Sequence, residues 1–148
     1  MHILIMLLMA IVAGAVLPIQ AGLNTQLGRA VENPVYGALL SFVVGTIGLI
    51  VYGLLTNMEF GKLSQARSLP WWMWLGGLMG AFYVVSIIVL APRLGTALTF
   101  GLTIAAQMLF SLLMDHYGWL EIPTHTINWQ RVAGVVLIIG GVLLIRSY

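Results

Sequence analysis

The sequence predicts an all-α integral membrane protein with five transmembrane helices, and composition and apolar run length support this prediction. Apolar residues make up 61% of the 148 residues and charged residues 7%, whereas soluble domains contain about 45–50% and about 25%. A helix needs ~20 mostly apolar residues to cross the hydrocarbon core of a bilayer. A chain of this length is expected to form a single membrane domain over 1–148. Its predicted spans are 3–29, 35–55, 70–91, 95–115 and 129–146.

The first span, 3–29, is interpreted as an uncleaved helix, because a signal peptide carries Lys or Arg ahead of its apolar run and this span has none there. Pro18 lies inside the span, cannot donate a backbone hydrogen bond and is expected to kink the helix. Gln20 and Asn24 follow one turn apart on one face. Both are candidates for a substrate site. The alternative for Asn24 is a solvated turn near Arg29.

Small residues mark the second span. Asn33 and Pro34 interrupt the chain, and Pro34 suits the first turn of a new helix. Gly37, Ser41 and Gly45 then recur at every fourth position. This small face is predicted to pack closely against another helix.

The third span begins with the aromatic run PWWMW, which is typical of an anchor at the membrane–water interface. Tyr83, further along, could present its hydroxyl to a cavity, or its ring could pack against protein or lipid. The link Pro92-Arg93-Leu94-Gly95 is expected to reverse the chain into the fourth span.

The fourth span carries a polar residue at every fourth position, and neighbouring members lie about 40° apart on the helix. The Thr and Ser hydroxyls are expected to bond back to the carbonyl group four residues earlier. The Gln107 amide lies about 3 Å from the midplane, where lipid offers it no partner. It either bonds to another helix or lines a cavity. The polar stripe comprises Thr99, Thr103, Gln107, Ser111 and Asp115.

The residues argue against several function classes. No nucleophile–base pair, paired carboxylates or phosphate-binding loop is recognisable, so a protein without enzymatic activity or cofactor is expected. The chain has no cysteine, and its net charge of +2 comes from scattered residues that form no basic patch for nucleic acid. No metal site is predicted either. The spacing of the acidic and His residues at and after the end of the fourth span matches no tight metal-ligand pattern. These residues are Asp115, His116, Glu121 and His125.

Several segments together resemble the drug/metabolite transporter superfamily, and most of all its five-helix YdcZ-like branch. The first two spans contribute GAVLPIQAGLNTQLGR and ALLSFVVGTIGL. The next two contribute PWWMWLGGLMGAFYV, APRLGTAL and QMLFSLLMDHYG. The last span reads GVVLIIGGV, which is similar to the last-helix dimerisation motif of the small multidrug resistance branch.

This resemblance implies a multi-pass carrier of the inner cell membrane, built as an inverted dimer in which each five-helix chain supplies one half. Proteins of the small multidrug resistance branch carry a Glu deep in helix one. Here the first acidic residue is Glu32, which lies beyond the first span. Asp115 is the acid nearest to a span and is therefore the candidate coupling acid.

Two features favour an antiparallel homodimer. Gly134 and Gly141 lie on one face of the fifth helix and are predicted to meet their copies in a second subunit. Five spans also divide Lys and Arg equally, three on each side, so the positive-inside rule provides no orientation signal. The side of the N-terminus has Lys62, Arg67 and Arg131, and the other has Arg29, Arg93 and Arg146.

Three functions remain open. The first is alternating-access transport of a small metabolite or drug-like solute at a site near the midplane. The second is proton-coupled export of drugs or cations through Asp115. The third is a non-transporting membrane subunit whose polar residues hold helices together. The expected partners are a second copy, the lipid bilayer and a small-molecule substrate, but not nucleic acid. The predicted substrate site comprises Gln20, Asn24, Tyr83, Thr103 and Gln107.

Overall fold

The computed structural model describes residues 3–147, and over this range every regular element is a helix. Five of its helical stretches are long and apolar enough to cross a membrane, which confirms the predicted number of spans. One compact unit, Met1–Pro92, contains the first two helices and most of the third, and a second, Arg93–Tyr148, contains the last two. The helices are α1 (Ile3–Ala30), α2 (Pro34–Leu55), α3 (Leu75–Leu94), α4 (Thr96–Tyr117) and α5 (Trp129–Arg146).

Helices α1 and α2 meet through direct backbone contact. Ala21, Asn24 and Gly28 form the buried face of α1, at the three- and four-residue spacing of one helix side. On α2, a Cβ atom at Gly37 would lie 2.7 Å from the Gly28 nitrogen and 2.8 Å from the Asn24 carbonyl oxygen. Because only glycine permits this approach, the predicted packing role of Gly37 is confirmed.

The N-terminal half of α1 contributes nothing to this buried face. Residues 3–17 are all exposed, and partial burial begins at Pro18. Pro18 has no N–H to donate to the carbonyl group of Gly14, and proline inside a helix weakens its continuity. The packed part of α1 is therefore its C-terminal half.

Residues with special backbone properties set the helix ends. The Asn33 side chain caps α2 by accepting a 2.8 Å hydrogen bond from the backbone, and Pro34 occupies the first turn as predicted. Helix α3 continues through Pro92 to Leu94, beyond the predicted end at residue 91. A proline in the last turn removes only one helical hydrogen bond, so the helix tolerates it. Gly95 has φ 85°, a conformation that glycine adopts without steric cost, and α4 begins after it.

The connection from α2 to α3 consists of two 3₁₀ turns, Phe60–Ser68 and Trp71–Trp74. The Phe60 ring lies against Gly53 near the end of α2, where an added Cβ would be 2.7 Å from the ring. The three Trp side chains of the second turn are exposed, as an anchor at the membrane interface must be.

In the second unit, α4 and α5 run antiparallel. Near the start of α4, a Cβ atom at Gly101 would lie 2.9 Å from a methyl group of Val142, near the end of α5. At the other end, Asp115 of α4 pairs with Arg131 of α5. The α5 residues that this packing buries are Val135 and Val142, two turns apart on one face.

Replacing Gly37 with Ala is expected to destabilise the protein by about 1–3 kcal/mol, because the added methyl group would collide with the Gly28 backbone. Gly45→Ala on the same helix is the matched control, since a Cβ there would meet no atom within 4 Å. Thermal unfolding in detergent should show a lower midpoint for Gly37→Ala alone. Equal midpoints for Gly37→Ala and the unaltered protein would contradict the close contact of α1 and α2.

Candidate functional site

The polar residues predicted to form the site are divided between the two compact units. In the first unit α1 carries Gln20 and Asn24, and α3 carries Tyr83. In the second unit all the predicted polar residues lie on α4. They are Thr103, Gln107 and Asp115.

A groove of 410 Å³ lies in the first unit, on the part of α1 that follows Pro18. Gln20 supplies the amide of its lining, and none of the lining side chains is charged. Gln20 lies about 15 Å of helix before Ala30, the last residue of α1. That distance is half the ~30 Å thickness of the hydrocarbon core. The groove therefore presents one amide near mid-depth. The other lining residues are Ser41, Phe42, Gly45, Thr46, Leu49 and Val84.

The structure separates Asn24 and Tyr83 from this groove. Asn24 is only 4% exposed, and its backbone carbonyl group faces Gly37 in the contact of α1 with α2. Tyr83 is half-buried on α3, whereas its neighbour Val84 contributes to the groove lining. Beside Asn24, the buried Thr25 hydroxyl has no hydrogen-bond partner within residues 3–147. Of the predicted residues in this unit, Gln20 is thus the one that lines an open space.

The polar stripe of α4 is largely satisfied by its own backbone. The Thr99 hydroxyl donates a 2.8 Å hydrogen bond to the Gly95 carbonyl, and the Thr103 hydroxyl donates a 3.0 Å bond to the Phe100 carbonyl. The Thr99 bond confirms the expected contact four residues back, whereas Thr103 bonds to the carbonyl group three residues back. Gln107 is different, because its side chain is exposed. Its amide is open to a partner from outside the described chain.

Asp115, the predicted coupling acid, is engaged in an ion pair. An Arg131 guanidinium nitrogen donates to its carboxylate, and another donates a 2.8 Å hydrogen bond to the His125 carbonyl. The Arg131 side chain is 30% exposed, and the Asp115 side chain is 23% exposed. Partial burial of this kind reduces solvent screening of the pair. Asp115 therefore has a cationic partner in this structure.

Arg131 is a site residue that sequence reasoning missed, because the sequence shows it only as one cation among those that set orientation. A usable signal was present. Asp115 lies near the end of one predicted helix, and Arg131 lies near the start of the next. A short loop between antiparallel helices brings such ends together.

The two glycines of the predicted dimer face of α5 have open space around them within residues 3–147. A Cβ atom at Gly134 or Gly141 would meet no atom within 4 Å. The contact with α4 uses Val135 and Val142 instead, which lie one position, or about 100°, further round the helix. The two glycines thus lie on a different face of α5 from the one that packs on α4.

Five apolar helices with isolated amides near mid-span define the class as a multi-pass integral membrane protein. Residues 5–144 match a family model described as "Putative inner membrane exporter, YdcZ", and the chain belongs to this YdcZ family. It is 25% identical over 138 residues to the inner membrane protein YdcZ of Escherichia coli strain K12, an alignment that covers 92% of this chain and 91% of that protein. No solved structure matches the chain at a significant level.

These comparisons confirm the resemblance to the YdcZ-like family that was drawn from the sequence motifs. The protein is a multi-pass protein of the inner membrane, and its family is one of membrane transporters. Such a family is not an enzyme class.

Proposed function

We propose that the protein carries a small, uncharged metabolite or drug-like solute by alternating access, as a dual-topology antiparallel homodimer. The observation that carries this proposal is the Gln107 amide, exposed near the middle of the apolar helix α4. An amide in hydrocarbon is costly unless it has hydrogen-bond partners. A substrate with polar groups, enclosed between two subunits, would supply them.

We propose the groove at Gln20, within the first unit, as a second place for a small solute to bind. Small-molecule sites are mostly apolar, with a few polar groups that orient the ligand, and measure about 300–1,000 Å³. A groove of 410 Å³ with one amide and no charge fits that description. We assign Gln20 in the first unit and Gln107 in the second unit to direct contacts with a solute. Asn24 and Tyr83 do not line the groove and Thr103 bonds to its own helix, so these three predicted residues are given no direct contact.

The proposed dimer uses the open face of α5. Without a hydrophobic driving force between helices in lipid, association depends on close van der Waals contact, and small residues permit it. Gly134 and Gly141 provide such a surface without disturbing the contact of α5 with α4. Two opposed copies related by an axis in the membrane plane would then form the inverted repeat of an alternating-access carrier.

Proton-coupled export of drugs or cations is the second candidate function, and it would need Asp115 to exchange protons. The Arg131 guanidinium already donates a hydrogen bond to that carboxylate. A cationic substrate would also have to displace Arg131 or bind elsewhere, and the groove at Gln20 offers it no acid. We therefore favour an uncharged solute.

The first experiment identifies a ligand and then tests Gln107. A panel of uncharged metabolites and drug-like molecules is screened on the purified protein by thermal shift, because a ligand at 100 times its Kd stabilises the folded state by about 2.7 kcal/mol. We expect Gln107→Leu to fold normally and to lose this shift. Met108→Leu, one position along on the exposed surface, is the control and should keep it. A full shift in folded Gln107→Leu would remove Gln107 from the site.

The dimer prediction is tested on α5. Replacing both Gly134 and Gly141 with Leu should convert a dimer in detergent to a monomer, because bulky side chains prevent close helix contact. Gly140→Leu adds one such side chain one position round the helix, also into open space, and should leave the dimer intact. Light scattering gives the mass of each variant. A dimer that survives the double substitution would place the interface on another surface.

The orientation prediction uses the absence of native cysteine. Single cysteines at Ser64, between α2 and α3, and at Ser147, after α5, should each label to about half with an impermeant thiol reagent on intact cells. Adding Gln65→Lys beside Ser64 should retain that loop in the cytoplasm and lower its labelling below half. Full labelling at one site and none at the other would show a single orientation.

A further inference from the structure

The loop between α4 and α5 is bound to the helix ends by a polar cluster that the proposed substrate site does not use. Arg131 bridges the Asp115 carboxylate and the His125 carbonyl. The His125 N–H in turn donates a 2.8 Å hydrogen bond to the Asp115 backbone carbonyl. We call the segment 118–128 the strap. One arginine and one aspartate thus hold the strap against both helices.

The strap has a backbone conformation that requires such restraint. Leu120 has φ 59° and Glu121 has φ 62°, both in the left-handed region that residues with a Cβ atom seldom adopt. Conformations of this kind persist only where surrounding contacts hold them in place. A further hydrogen bond of 3.3 Å, from the Ile127 N–H to His116 Nδ1, helps to do so. The cluster and the backbone strain therefore act in opposite directions.

The other end of the two helices is joined by a different kind of contact. Gly101 of α4 meets Val142 of α5 in close apolar packing, about 21 Å along α4 from Asp115. This contact involves no charge, so it does not depend on the ion pair. Gln107 lies on α4 between the two attachments.

We propose that Asp115 and Arg131 form a latch. While the pair is closed, the strap stays folded against α4 and α5. When the pair breaks, the strap relieves its strain and these ends of the helices separate about the contact of Gly101 with Val142. The movement changes the surface around Gln107, and in this respect alone it rests on the proposed function.

The latch is tested by amide hydrogen exchange on the full-length protein in detergent, read in peptides that cover the strap. Asp115→Asn removes the charge but keeps the size, and strap exchange should accelerate about tenfold or more, since hydrogen bonds to charged groups are among the stronger ones. Arg131→Lys keeps the charge but not the fork that reaches both partners, so its exchange should be intermediate. It also serves as the test should Asp115→Asn fail to fold.

The control variant is Lys62→Gln, which breaks the pair of Lys62 with Glu59, whose side chains are 69% and 71% exposed. This solvated pair should leave strap exchange unchanged. Unaltered strap exchange in Asp115→Asn and Arg131→Lys would overturn the latch, and so would equal acceleration around Gly101 and Val142. Faster exchange in the strap and in the adjoining ends of α4 and α5, with none around Gly101 and Val142, supports the latch even if the Gln107 experiment disproves the transport site. Faster exchange confined to the strap would show a loosened loop and overturn the helix movement.

Discussion

Hydrogen-bonding groups placed in hydrocarbon must find partners within the protein, and this constraint underlies the rest of the structure. Helices satisfy the backbone along each span. Thr99 and Thr103 satisfy their hydroxyls by bonding back to the same helix. Asp115, near a helix end, is satisfied by Arg131 and by no neighbour on α4. The polar groups that have no such partner within residues 3–147, above all the Gln107 amide, are therefore candidates for a functional role.

The glycines divide into two groups according to what surrounds them. Gly37 and Gly101 lie where a Cβ atom would collide with a neighbouring helix of the same unit. Gly45, Gly134 and Gly141 have open space, although their spacing along the sequence suggests the same packing role. Gly45 lines the groove beside Gln20, and the two α5 glycines face open space within residues 3–147. The small-residue pattern therefore predicts close approach correctly at Gly37 and wrongly at Gly45, and the dimer role of Gly134 and Gly141 stays a prediction.

Helix existence could be predicted from the sequence, because the length of an apolar run decides it almost alone. The environments of Gln20 and Asn24 could not. Their spacing places them one turn apart on one face, yet Gln20 lines an open groove and Asn24 is buried. The difference arises from the level at which α2 meets α1, which the pattern of α1 does not contain. The pair of Asp115 with Arg131 was missed similarly, because it depends on the path of the loop.

An antiparallel dimer of identical chains places a constraint on where charge can lie. Every residue occurs once in each orientation, so a single added Lys in one loop would favour one orientation over the other and deplete the opposed partner. The equal division of Lys and Arg that the sequence predicts for the two sides is what such a dimer would require. Arg131 remains part of this balance although it pairs with Asp115, because the positive-inside rule counts Lys and Arg and gives acidic residues little weight. Charge within the chain can thus serve local structure while the balance between the two sides is preserved.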